Sequence, residues 1–312
     1  MRVIGIFLVS FFLLCCGNKD IAPPLTLEGI TQENYPRVDG STSLEPLQTL
    51  IACKLLGGRY QWVQALHSDN TWMLRPDYND IPLDFFKERI KTSQTHNSFI
   101  NLIDKKADLT LSARKMSKDE KAYADKMGVT LIETPIALDA LVFLLNPANG
   151  VKSLTSKQIQ DIYLGKLTNW KDAGGKDAKI NPYIRNANSG SQELMESLVV
   201  PGQELPDWPQ EIISSMLQAF TTIRNDVNGI CFTVYYYKES IVRDNTNVKS
   251  LAVNGISPDK KSISSKTYPY TAEVYAVIRS DLDPGSMAYR LYELLQTPAG
   301  KNVIRESGYI AD

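Results

Sequence analysis

The sequence predicts an α/β protein. Three observations carry this: β-rich runs alternate with helical stripes along the body of the chain, several of those helices open on capping-box spacings, and no internal repeat interrupts the alternation. At about 150 residues per domain, the 312 residues make two domains or one large one. Thr42-Ser43-Leu44-Glu45 has the spacing of a capping box, and the helix after it carries Leu44, Leu47, Ile51 and Leu55 on one face before Gly57-Gly58. Pro46 falls in its first turn, where a missing N–H costs little. Residues 59–94, with Trp62, Trp72 and Pro76, read as an irregular insertion beside short strands. Ser117-Lys118-Asp119-Glu120 is a second box, opening a helix that stops near Gly128. Residues 129–133 and 140–145 are two separate β-rich runs. Thr155-Ser156-Lys157-Gln158 is a third box, whose helix buries Ile159, Ile162 and Tyr163 and ends at Gly165. Residues 230–237 and 272–278 read as strands, and Met287, Leu291, Leu294 and Leu295 mark a late helix stopped by Pro298.

Composition excludes several functions. Hydrophobic residues make up 43%, an ordinary globular share. Lys+Arg 34 against Asp+Glu 35 leaves a net charge of -1, which excludes a strongly basic nucleic-acid binder. With two histidines, no C-x-x-C pair and no H-E-x-x-H, neither a metal centre nor a cofactor is expected. His67 and His96 are poor catalysts, and no G-x-S-x-G elbow is present, so no catalytic residue is assigned.

The N-terminus reads as a targeting segment. Arg2 precedes an apolar run of about 12 residues, too short for a spanning helix of about 20. The run ends in Leu13-Leu14-Cys15-Cys16-Gly17. This resembles a bacterial lipoprotein signal over residues 1–16, with Cys16 the expected lipidation site and Cys15 the alternative. Residues 17–36, with Pro23-Pro24, then form a linker from the membrane. The expected place is the extracytoplasmic cell envelope, lipid-anchored. Cys53 and Cys231 either pair or stand as two buried free thiols.

Two stretches carry anion chemistry. Gly40-Ser41-Thr42-Ser43 sets hydroxyls directly before a helix, whose first N–H groups are unpaired and carry partial positive charge. The plain alternative is N-capping. The second stretch is Arg185-Asn186-Ala187-Asn188-Ser189-Gly190-Ser191-Gln192. Here Arg185 adds a permanent charge with a planar fork, and Gly190 allows close backbone approach. Ser189 and Gln192 have capping-box spacing as well. Neither loop has a Walker pattern, so nucleotide binding is not indicated. Two such helix starts about 150 residues apart suggest two lobes, each offering half of one site.

At these loops the chain resembles the phosphate ABC-transporter substrate-binding proteins, the PstS-like periplasmic binding family. The resemblance runs from about Val38 to the C-terminus. It covers the Gly40–Pro46 stretch, Ala107-Asp108-Leu109-Thr110-Leu111-Ser112-Ala113-Arg114, Pro135-Ile136-Ala137-Leu138-Asp139, and above all the block SLTSKQIQDIYLGKLTNWKDAGGKDAKI. Arg185 with Ser189-Gly190-Ser191 and the later Asn254-Gly255-Ile256-Ser257-Pro258 continue it.

The resemblance implies a type II periplasmic binding fold, two α/β lobes joined by crossing strands with the ligand between them. Lobe I is expected at 37–138 plus 232–312 and lobe II at 139–231. Thr42 and Ser43 are expected to contact the ligand, with Thr95 where the family has a serine in a glycine-rich loop that this chain lacks. Arg185, Ser189, Gly190 and Ser191 are expected to close from the other lobe. Where some relatives place an acceptor aspartate, this chain has Ala113. Asp139 is the candidate replacement, with Arg114 and Ser112 at the rim. The implied function is capture of inorganic phosphate by a monomer for delivery to ABC permease subunits. The alternatives are another oxyanion such as sulfate or molybdate, a sensory or surface interaction protein, and an ester hydrolase.

Overall fold

The computed structural model describes residues 23–66, 70–207, 212–244 and 246–311. The expected leader over 1–16, its Cys16, the first part of the linker and His67 lie outside them. No helix among the described residues is long and apolar enough to cross a membrane.

In chain order the first elements are β1 (Val38–Gly40), α1 (Glu45–Leu56), β2 (Tyr60–Gln64), β3 (Trp72–Pro76), α2 (Leu83–Arg89), α3 (Thr95–Ile103), β4 (Leu109–Ser112), α4 (Lys118–Met127) and β5 (Leu131–Leu145). Then come β6 (Ser153–Leu154), α5 (Ser156–Tyr163), β7 (Asn181–Pro182), α6 (Gly190–Leu198), α7 (Met216–Asn225) and β8 (Gly229–Val234). The chain closes with β9 (Lys249–Ser250), β10 (Ala252–Val253), α8 (Lys260–Ser264), β11 (Thr271–Arg279), α9 (Met287–Leu294) and α10 (Pro298–Ser307). The strands of the main sheet run β1-β4-β11-β5-β8-β7, with β9 also on β5.

β5 organises the molecule. Its first part, to Ala140, pairs antiparallel with β11, and Leu141–Leu145 pair with β8. One strand therefore belongs to both halves of the sheet. The sequence suggested two runs, 129–133 and 140–145, and between them Pro135 has no N–H to give a ladder. The structure absorbs that gap in a bulge: Tyr275 faces Pro135 while Val274 faces Ala137, and the register shifts between them. Residues 249–253 also correct the expected lobe boundary. β9 lies on Leu144 and Leu145 and β10 pairs with β6, so this stretch sits with the second half of the sheet rather than with 232–312 as a whole.

Strand β8 stops at Val234, short of the expected 237, and the chain turns into a π-helical turn at Tyr237–Ile241. The Tyr236 N–H donates to Asp139 Oδ1 instead of a strand neighbour, and its ring stacks on Tyr309 at 3.8 Å. The described residues of the insertion at 59–94 form regular elements rather than an irregular stretch. β2 and β3 form an antiparallel hairpin, and the Arg243 guanidinium lies 5.2 Å from the Trp62 ring and 4.6 Å from the Trp72 ring.

The boxes at Ser117–Glu120 and Thr155–Gln158 form with both reciprocal hydrogen bonds. The one at Thr42–Glu45 does not. A 3-10 turn over Thr42–Leu44 tightens the entry, Leu44 becomes the N-cap of α1, and no side chain caps either start. Cys53 and Cys231 are buried free thiols.

Candidate functional site

A cavity of about 200 Å³ lies between the two halves of the sheet. One side is built from Ser41, Thr42 and Ser43 after β1, Gln94 and Thr95 at the start of α3, and Ala113 after β4. The other side is Arg185, Ser189, Gly190 and Ser191 at α6, then Ser214 to Leu217 at α7, then Val234 and Tyr237. Among the described residues, four helical starts therefore meet at it: the 3-10 turn, α3, α6 and α7. Each brings unpaired N–H groups and the positive end of a helix dipole.

The hydroxyls are set to donate. Ser41 Oγ accepts from the Ala113 N–H at 3.0 Å and shares a 2.8 Å hydrogen bond with Thr95 Oγ1. Ser189 Oγ accepts from the Gln192 N–H, and Ser215 Oγ from the Gln218 N–H. Ser189 and Ser215 each accept a chain hydrogen bond and still carry an O–H proton, whereas one of the Ser41 and Thr95 protons is used in their shared bond. Thr42 and Ser43, released from capping, make no side-chain hydrogen bond among the described residues. Ser189 and Gln192 make only half of a capping box. The Gln192 side chain turns instead to accept from the Arg185 backbone N–H at 2.9 Å, which fixes the arginine against α6.

Arg185 is the electrostatic centre. It is 5% exposed. Its Nε donates to the Ile213 carbonyl at 3.0 Å, and its Nη1 reaches Ser191 Oγ at 3.2 Å and Met216 Sδ at 3.0 Å. Nη2 makes no hydrogen bond within the described chain, and no described carboxylate forms an ion pair with this guanidinium. Burial pulls its pKa down from the ordinary value, yet a guanidinium remains charged in a protein. A buried charge without a counter-ion costs several kcal/mol, on the order of the desolvation of one ion. The cavity is thus short of one negative charge.

Two residues beside the cavity have positive φ. Gln94, just before Thr95, has φ 68° and ψ 165°, a region almost confined to glycine, and Asn188, just before Ser189, has φ 63°. Strain of about 1–3 kcal/mol per residue collects where surrounding structure imposes a function. Gln94 holds the backbone path that a glycine would take, so the start of α3 reaches the cavity with no glycine there.

Arg114, Ser112 and Asp139, three expected residues, do not reach it. Arg114 is buried, but Glu120 engages it through two 2.7 Å hydrogen bonds, so its charge is compensated. His96 Nδ1 lies 3.0 Å from the same Glu120 and does not line the cavity. Ser112 Oγ donates to the Arg114 carbonyl at 2.6 Å. Asp139 is wholly buried at the middle of β5, where Oδ1 accepts from the Ala140 and Tyr236 N–H groups and Oδ2 has no partner. It offers nothing to a ligand in this cavity.

Asp139 has another consequence. Burial pushes its carboxyl from 3.8 up to about 7. Since the folded state holds this proton more tightly than the unfolded chain, the favourable contribution is full below about pH 4 and is lost as pH rises through 7. Denaturant unfolding across this range should show stability falling toward pH 8, by an amount on the order of 2–4 kcal/mol for this group. Asp139→Asn should flatten that dependence. An unchanged slope in the variant would refute the assignment.

Sequence reasoning left Gln94, Ser214, Ser215, Met216, Leu217 and Tyr237 out of the site. Ser215-Met216-Leu217-Gln218 repeats the spacing of Ser189 to Gln192, and that signal was available. Gln94 has none, because a glycine-like φ in glutamine is imposed by its surroundings.

A family model, the PBP superfamily domain, matches residues 77–294. The chain belongs to the PBP superfamily. Among relatives of this PBP superfamily chain is a phosphate-binding protein PstS of Borreliella burgdorferi, 24% identical over 215 residues, covering 67% of this chain and 74% of that one. A Bacillus subtilis protein of the same name is 25% identical over 189 residues, covering 60% of each chain. Among solved structures, a putative phosphate ABC transporter substrate-binding protein with bound phosphate from Clostridium perfringens matches with a TM-score of 0.63 and 20% identity, covering 88% of this chain and 98% of that one. An ABC-type phosphate transport receptor from Vibrio cholerae matches with a TM-score of 0.63 and 22% identity, covering 88% and 99%. At this identity the structural matches establish the fold: two α/β halves about a shared sheet.

A larger cleft of about 1110 Å³ opens beside the cavity. Lys115, Lys118 and Lys266 face Glu193, Glu196 and Glu273 around it, so its field has no single sign.

Proposed function

We propose that this protein is an extracytoplasmic solute-binding protein that captures inorganic phosphate and hands it to the permease of an ABC transporter, with no chemical step. The observation that carries the reading is Arg185, buried in a hydroxyl-lined cavity without a carboxylate partner. The names of the PstS relatives and of the phosphate-bound neighbour support the choice of ligand.

In this reading a tetrahedral oxyanion enters between the halves, gives up its water and takes donors from both. Thr42, Ser43 and Thr95 serve it from one lobe, and Arg185, Ser189, Gly190 and Ser191 from the other. Ser41, Ser214 and Ser215 join them. Because the ligand bridges the lobes, it binds the closed form better than the open form, which is the differential affinity that closure requires. The second lobe takes in 249–253 besides 139–231. A lipid on Cys16 keeps the carrier beside the permease and raises its effective concentration.

Calorimetric titration of the full-length chain, solubilised in detergent, tests the reading. Phosphate should bind at one site, with sulfate and molybdate as competitors that set its selectivity. Absence of binding by all three anions would sink oxyanion capture, and turnover of a phosphate or acyl ester would replace it with a hydrolase.

A further inference from the structure

Tyr237 lines the cavity without belonging to any of the helix starts that meet there. The chain passes between the halves twice, once in β5 and again after β8, where the Tyr236 N–H donates to Asp139 Oδ1. Tyr237 is the next residue. Alternation along a strand would set Tyr236 on the same face as Val234. The π-helical turn changes this. Tyr236 is drawn off to Asp139 and to the Tyr309 ring, and Tyr237 joins Val234 at the cavity. Local π-helical geometry of this kind frequently accompanies functional sites.

The side chain is only half committed. Its ring is buried and lies 6.1 Å from the Phe220 ring of α7. Its hydroxyl makes no hydrogen bond among the described residues, and it stays accessible rather than sealed in the core. A buried tyrosine normally finds a partner for its O–H. Arg185 and Glu45 both act on the phenol electrostatically, and neither bonds to it. Burial raises the phenol to about 12, so near neutral pH it keeps its proton and can donate. Two donors in this cavity therefore lack an acceptor, the Tyr237 hydroxyl and Arg185 Nη2.

We propose that Tyr237 is a ligand-binding residue of this site, its O–H donating to the captured oxyanion beside Arg185. This rests on the reading of the cavity as an oxyanion site. The anion is then held from the crossover as well as from the helix starts. Because Tyr236 is fixed to Asp139 in the other crossing strand, this contact ties occupancy of the cavity to the segment about which the halves move.

The test is calorimetry with inorganic phosphate on the full-length chain in detergent, unmodified and as Tyr237→Phe. Phenylalanine keeps the ring beside Phe220 and removes only the hydroxyl. Phosphate affinity should fall at least about tenfold, the scale of a hydrogen bond to a charged group. The melting temperature of the empty protein should stay level or rise, because there the hydroxyl has no partner to lose. At saturating phosphate the unmodified protein should show a near-ultraviolet difference at the tyrosine bands, and that difference should shrink in the variant. A smaller loss of affinity, or an undiminished difference spectrum, would overturn the proposal and leave phosphate capture standing. A lower melting temperature of the empty variant would make the hydroxyl structural and overturn it too. If the unmodified protein binds none of phosphate, sulfate and molybdate, the oxyanion reading itself falls, and the proposal with it.

Discussion

Replacing Arg185 with methionine should weaken oxyanion binding at least about tenfold and, in the same protein, raise the melting temperature of the empty form. The two effects have one cause. In the empty protein the guanidinium is buried with no carboxylate beside it, and its desolvation is only partly offset by Ile213, Ser191 and Met216. Methionine fills similar volume without the charge. The Ile213 carbonyl is not orphaned, because it also accepts from the Asn186 N–H at 3.2 Å. Substituting a well-packed apolar side chain for buried charge stabilises by about 1–4 kcal/mol in other settings. At about 2–4 °C per kcal/mol for a chain of this size, the shift is easily measured. Affinity should fall by at least 1.5–3 kcal/mol, about 10- to 150-fold, the scale of a hydrogen bond to a charged group. The thermal shift that phosphate produces in the unmodified protein should shrink accordingly. Retained affinity, or a lower melting temperature, would mean that Arg185 is a structural residue and that the cavity owes no charge to a ligand.

What the sequence made legible was the part of the site written in local chemistry. Hydroxyls before a helix, an arginine four residues upstream and a glycine between serines are short-range signals, and Arg185, Ser189, Gly190 and Ser191 were found from them. The alternation of strands and helices was equally local. Features set by tertiary context were misread. Asp139 falls in an apolar run whose depth no pattern reveals, so its proximity to a ligand was inferred from a linear map. The runs 129–133 and 140–145 were not joined into β5 because a bulge partner about 140 residues away in the chain cannot be seen locally. Arg114 and Arg185 look alike in sequence, and only the approach of Glu120 to one of them distinguishes a satisfied ion pair from a waiting charge. The box at Thr42 failed for a related reason: Thr42 and Ser43 line the cavity, and the 3-10 turn leaves Leu44 rather than Thr42 at the start of α1.

Gly190 yields the second large effect, through a contact rather than a charge. It opens α6 on one half of the molecule, and Thr95 opens α3 on the other. A Cβ at position 190 would lie 2.5 Å from Thr95 Oγ1, and the next nearest atoms, at 3.5 Å and 3.9 Å, are also in Thr95. The glycine is not held at positive φ, so alanine there meets no backbone strain and is the better helix former. The cost of Gly190→Ala is confined to the space between the halves. Overpacking of this kind costs about 1–3 kcal/mol, and it applies only when the halves are closed on each other. Phosphate affinity should therefore drop by about 5- to 150-fold while the denaturant stability of the empty protein, free to open, stays close to that of the parent. Removing the obstructing atom should restore closure. Thr95→Ala deletes Oγ1 and leaves the new Cβ at ordinary contact distance, so Gly190→Ala/Thr95→Ala should bind better than the sum of its parts, with a coupling of about 0.5–3 kcal/mol. Strict additivity in that cycle would show that residues 95 and 190 never meet in the bound form, and the picture of two helix starts closing on one anion would have to be given up.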